Sequence, residues 1–60
     1  MAYSTMKKLI TNANGKLQDG SLNKEQYEEY REGQQKKLDV FFATGRLTEA
    51  QYEELMRMWI

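Results

Sequence analysis

Gly45-Arg46-Leu47-Thr48-Glu49-Ala50-Gln51-Tyr52-Glu53-Glu54-Leu55 decides how this chain folds. Gly45 supplies the left-handed residue that ends many helices. Thr48 is a good N-cap, and Gln51 follows three residues later, the spacing of a capping box. Leu47 before the cap and Tyr52 after it have the spacing of a hydrophobic staple. A second copy lies upstream as Gly20-Ser21-Leu22-Asn23-Lys24-Glu25-Gln26-Tyr27-Glu28-Glu29-Tyr30, aligned without a gap and sharing Gly, Leu, Gln, Tyr, Glu and Glu. There Gly20 stops a helix, Asn23 caps with Gln26, and Leu22 staples to Tyr27. Two stop-and-restart devices imply three helices. Residues 1–60 therefore read as one small helical domain with a degenerate internal repeat at 20–30 and 45–55.

Apolar spacing supports the same division. Met6, Leu9, Ile10, Ala13 and Leu17 form one helical stripe. The spacing predicts a first helix over 5–18, capped by Ser4 or Thr5 and weakened by Asn12, Asn14 and Gly15, which are poor helix-interior residues. A second helix is predicted over 24–43, with Tyr27, Tyr30, Gln34, Leu38 and Phe41 on one face and Phe42 beside them. Gly33 lies in its polar middle, where either a continuous solvated helix or a kink fits the pattern. A third helix is predicted over 49–59, with Tyr52, Leu55, Met56 and Trp59 inward. Short connections imply antiparallel neighbours. The expected fold is all-α, a small three-helix arrangement of two consecutive hairpins. The first helix should lie along the start of the second, and the third along its end.

Composition narrows the function. A chain of 60 residues buries only about 60% of its unfolded surface, and an unstapled core of that size supplies about 3–5 kcal/mol. Without cysteine or histidine it has neither disulfide nor ordinary zinc ligands, so helix packing or association must stabilise it. The redox compartment stays open. Lysine plus arginine balance aspartate plus glutamate at nine each, so no net charge draws the molecule to nucleic acid or anionic lipid. Apolar runs such as Val40-Phe41-Phe42 are too short to span a bilayer, and Lys7-Lys8-Leu9-Ile10 is not followed by a signal-peptide core. A start at Met1 with no evident tag is what a complete small reading frame would show.

Catalytic chemistry finds little support. Glu25, Glu28, Glu29 and Glu32 form a carboxylate stripe, but a bundle di-metal site needs ligands converging from several helices, histidines among them. The stripe reads as a solvated face. Glu32–Lys36 and Glu53–Arg57 have the spacing and order of favourable helical ion pairs. Hydroxyls at Ser4, Thr5, Thr11, Ser21, Thr44 and Thr48 have no histidine base, and neither GxxxxGK[ST] nor GxGxxG occurs. No catalytic residue, cofactor site or metal site is expected. A helix-turn-helix reading fails because the helix after each turn opens with glutamates, which repel phosphate. Lys7, Lys8 and Lys16 form a small basic face that leaves nucleic-acid binding as a minor reading.

The stretch Leu38…Gly45-Arg46-Leu47-Thr48-Glu49-Ala50-Gln51-Tyr52-Glu53-Glu54-Leu55-Met56 resembles the short C-terminal domain (SHOCT) motif. It is also similar to small phage and prophage proteins of Gram-positive bacteria, which combine a Lys-Lys-Leu-Ile-like first helix with a Lys37-Leu38-Asp39-Val40-Phe41-Phe42 segment and a Gly-Arg-Leu-Thr-Glu-x-Gln-Tyr ending. The likeness is good over 37–58 and loose elsewhere. It departs at Met56-Arg57-Met58-Trp59-Ile60, where the SHOCT motif commonly continues into lysines and leucines. The resemblance implies a helical hairpin serving oligomerisation or interaction, and no catalytic residue.

The expected function is thus a non-enzymatic, phage-encoded interaction or assembly protein, a homo-oligomer or one that docks on a phage or host protein. Its location would be the bacterial cytoplasm or the virion, with no membrane partner. Phe41, Phe42, Met56, Met58, Trp59 and Ile60 are the candidate partner-binding residues, because Met58 and Ile60 fall off the helical stripe and adjacent phenylalanines cannot both face one neighbour. An alternative is a regulatory or inhibitory phage protein that binds a host factor through an acidic rim of Glu25, Glu28, Glu29, Glu53 and Glu54.

Overall fold

Both glycine turns close with backbone hydrogen bonds that account for their sequences. In this computed structural model, which describes residues 2–60, α1 is Ala2–Asp19, α2 is Lys24–Ala43 and α3 is Glu49–Met58. Gly45 has φ 79° and Gly20 φ 86°, a conformation that costs a residue with a Cβ about 1–2 kcal/mol. At the end of α2, the Arg46 N–H reaches the Phe41 carbonyl at 2.8 Å and the Gly45 N–H reaches that of Phe42 at 3.2 Å. This is a Schellman closure. The end of α1 is a looser version: Leu22 N–H, two residues past the glycine, bonds the Lys16 carbonyl at 3.1 Å. The intervening Ser21 N–H is taken by the Asp19 side chain.

The restarts are equally specific. Asn23 accepts from the Gln26 N–H at 2.8 Å, and the Gln26 side chain accepts from the Asn23 N–H at 3.1 Å. Thr48 and Gln51 repeat this exchange at 3.1 Å in both directions. Each box satisfies two backbone donors that a helix start leaves unpaired. The predicted second and third helices therefore agree with the structure to within a residue, and α2 runs unbroken through Gly33.

The first helix needs correction. It begins at Ala2, so Ser4 and Thr5 lie within it rather than capping it, and it continues through Asn12, Asn14 and Gly15 to Asp19. Packing explains the early start, because Ala2 and Tyr3 lie against the core and hold the first turn in helical form.

Met6, Ile10, Leu38, Leu47 and Leu55 form the buried centre, with at least one residue from each helix and Leu47 from the second turn. Contacts between named residues set the directions. Asn14 meets Tyr27, while Tyr52 meets Asp39 and Ile60 meets Arg31, so α2 is antiparallel to both neighbours. α1 and α3 are then parallel to each other, and they touch directly: Tyr3 and Lys7 meet Glu54, and Asn14 meets Met58. The molecule is thus a closed three-helix arrangement, 34 × 17 × 16 Å. Nor does the third segment stop along the last part of α2, as the short helix alone suggests. Trp59 is extended, with φ −64° and ψ 139°, and at about 3.3 Å per residue this tail carries Ile60 to the first turns of α2.

Candidate interaction surface

The tail that the sequence offers as a docking patch is tied into the fold. Asn14 Nδ2 donates to the Met58 carbonyl at 2.8 Å, and Asn14 Oδ1 accepts from the Tyr27 hydroxyl at 2.6 Å. The Ile60 N–H in turn donates to the Tyr27 hydroxyl at 3.0 Å. One asparagine and one tyrosine thereby join α1, α2 and the tail. Tyr27 is only 2% exposed, so its hydroxyl needs such partners. Trp59 packs edge-on against the same ring, centroids 6.1 Å apart, a favoured aromatic arrangement. Not every buried group is matched, since Gln34 Oε1 and Trp59 Nε1 have no hydrogen-bond partner.

Of the six candidate partner-binding residues, Phe41, Met56, Met58 and Trp59 are partly buried against the core. Met58, expected off the stripe, is among them. Phe42 and Ile60 remain exposed, at 41% and 59%. They do not form one patch. Phe42 stacks on Tyr52 with centroids 4.8 Å apart, whereas Ile60 lies by Tyr27 and Arg31, about 16–22 Å away along α2 at 1.5 Å per residue. Sequence reasoning did not single out Val40, which is 58% exposed. The signal was the run Val40-Phe41-Phe42: successive helical residues turn by about 100°, so three in a row cannot share a buried face.

The acidic rim also divides. Glu54 accepts a short hydrogen bond from the Tyr3 hydroxyl and pairs with Lys7 at 3.5 Å. The hydrogen bond from Tyr3, aided by Lys7, holds the Glu54 carboxyl below its ordinary range, and the bond that Lys7 itself donates to the Tyr3 oxygen, aided by Glu54, raises Lys7 above its own. Glu53 pairs with Arg57 at 3.9 Å, as its spacing predicts, whereas Glu32 and Lys36 form no ion pair among the described residues. Glu25, Glu28 and Glu29 are exposed on the outer side of α2. Among the described residues no three carboxylates gather as a metal ion would require, and no helix is long and apolar enough to cross a membrane. Of the small basic face, Lys7 is engaged with Glu54, while Lys8 and Lys16 are exposed.

A concavity lies elsewhere. A groove of about 720 Å³ runs between the first two turns of α1 and the last two of α2, closed at one end by Arg46 and Gln51. Met6, Leu9 and Phe41 give it an apolar floor, and Ala2, Tyr3 and Thr5 form one wall. Lys37 and Arg46 stand on the other side, with Arg46 5.8 Å from the centre of the Phe41 ring, within cation–π range. No carboxylate lines it among the described residues. Phe41 is the one candidate residue that reaches this groove. A crevice of about 190 Å³ near Leu9, Leu22 and Tyr30 is much smaller.

Comparison with known proteins adds no relative: no family model, curated protein or solved structure matches the chain.

Proposed function

We propose that this chain is a non-enzymatic helical interaction module that binds another protein, or another copy of itself, through the open groove between α1 and α2. One observation carries the reading: a groove of about 720 Å³ joins the apolar side chains of Met6, Leu9 and Phe41 to the cationic side chains of Lys37 and Arg46. Such a surface excludes water around an apolar anchor and leaves charges at its rim to set orientation. An assembly role in a bacterial host or its virus is what the resemblance to SHOCT hairpins and small phage proteins would imply, and no family model match accompanies that resemblance.

Site-specific photocrosslinking in the native cell tests this reading. A probe replacing Thr5, at the groove wall, should capture a protein whose mass identifies it as a second copy or a different chain. A probe replacing Lys36, exposed and outside the groove, should capture none. Equal capture from both positions, or none from Thr5, contradicts the proposal.

A second reading keeps an acidic surface as the docking site, now reduced to Glu25, Glu28 and Glu29 because Glu53 and Glu54 have partners within the molecule. Capture from a probe at Glu28 alone, abolished by salt, would favour it.

A further inference from the structure

The charges that line the groove are of one sign. The chain carries nine cationic and nine acidic side chains, yet the lining includes Lys37 and Arg46 and no carboxylate. Glu54, which bonds the lining residue Tyr3, is paired with Lys7. The two cations are also separated along the groove. Lys37 lies one turn before Phe41, about 6 Å along the axis, and Arg46 lies beyond Phe41 across the Gly45 turn. A ligand with anionic groups along its length and apolar groups between them matches both cations and the apolar side chains of Met6, Leu9 and Phe41.

Dimensions narrow the class further. The α1 wall from Ala2 to Leu9 is about 10 Å long at 1.5 Å per residue, two turns of helix. That length accommodates three apolar anchors at i, i+4 and i+7, the usual helix-in-groove pattern. We infer that the groove receives a short acidic amphipathic helix, its apolar stripe on Met6, Leu9 and Phe41 and its carboxylates facing Lys37 and Arg46. This rests on the interaction reading above and specifies the partner's chemistry. The opposite choice, a basic peptide, meets two like charges and no acid.

The test uses the whole chain labelled for NMR and a panel of synthetic helical peptides. Each has leucine or phenylalanine at i, i+4 and i+7, glutamates flanking the stripe, and a twin with lysine for every glutamate. The acidic peptides should shift resonances of Thr5, Leu9, Phe41 and Arg46, and the lysine twins should bind at least severalfold more weakly. Lys37→Glu with Arg46→Glu alters two exposed side chains and should weaken the acidic peptides on the order of tenfold. Lys36→Glu should change affinity much less.

Equal affinity of acidic and lysine peptides, shifts outside the groove, or no response at millimolar peptide would overturn the inference. Response only to a long-chain carboxylate such as oleate, or concentration-dependent occupation of the groove by a second copy, would overturn it too. Capture of a protein through Thr5 without any peptide response would remove this inference and leave the interaction reading standing.

Discussion

The Tyr27 hydroxyl donates to Asn14 Oδ1, thirteen residues upstream on the neighbouring helix, and Tyr52 makes the same reach back to Asp39. Tyr27 and Tyr52 are equivalent positions of the repeat, and so are Asn14 and Asp39, each pair twenty-five residues apart in the chain. The repeated unit is therefore a helical hairpin with a tyrosine-to-Asx clasp, larger than the turn that first reveals it. The two clasps differ in burial. The first is part-buried and also holds the tail through Ile60 N–H, whereas the second is exposed.

That difference predicts unequal costs. Tyr27→Phe leaves Asn14 Oδ1 and the Ile60 N–H without their partner, which should cost about 1–3 kcal/mol and lower Tm on the order of 10 °C for a chain this small. Tyr52→Phe should cost less than about 1 kcal/mol, because water can replace an exposed bond. Thermal unfolding followed by circular dichroism checks both. A cycle combining Tyr27→Phe with Asn14→Ala should show coupling of at least about 0.5 kcal/mol.

The glycines should respond in opposite directions. Gly33 lies in the middle of α2, and a Cβ built on it meets nothing within 4 Å. Gly33→Ala should therefore stabilise by roughly 0.5–1 kcal/mol through helix propensity. Gly45 has equal space but φ 79°, so Gly45→Ala should destabilise by about 1–2 kcal/mol. Denaturant midpoints at unchanged slope would separate the two effects.

Stability should fall at both ends of the pH range. The Tyr3 hydrogen bond lowers Glu54 from its ordinary 4.5, and the Ser21 hydrogen bonds lower Asp19 from 3.8. The unfolded chain then binds protons first, so this stabilisation is complete above those ordinary values and disappears as pH falls through the lower folded ones. The hydrogen bond to Asp39 raises Tyr52 from 10.0, and that to Tyr3 raises Lys7 from 10.5. Their contributions are complete below those values and disappear as pH rises through the higher folded ones. Tm against pH should show a plateau between these limits, and Tyr3→Phe should make the acid limb shallower.

Much of this architecture is legible in the chain because caps and glycine stops are local devices. Asn23, Gln26, Thr48, Gln51, Gly20 and Gly45 act within a few residues of themselves, so their spacing suffices. Asn14 was not legible in that way. Its low helix propensity reflects local competition for backbone hydrogen bonds, and nothing local reveals that its side chain is occupied by Tyr27 and Met58. The start of α1 was obscured for a similar reason, since Ala2 and Tyr3 are held by the core rather than by a cap. The tail misled through periodicity: Ile60 looks off-stripe only if the helix continues, and the backbone leaves it at Trp59, while Met58, still helical, packs against the core all the same. The groove was hidden most completely, because Leu9, Phe41 and Arg46 become neighbours only once all three helices are closed.

These relationships make the tail part of the fold and leave the groove as the proposed docking site. The most direct measurement is amide hydrogen exchange at Ile60, whose N–H donates to the Tyr27 hydroxyl. In the intact chain it should exchange well below the rate of an unstructured peptide, and in Tyr27→Phe that protection should be lost while the centre of α2 stays protected. Free-peptide exchange at Ile60 in the intact chain would contradict the account and return Met56–Ile60 to the docking surface.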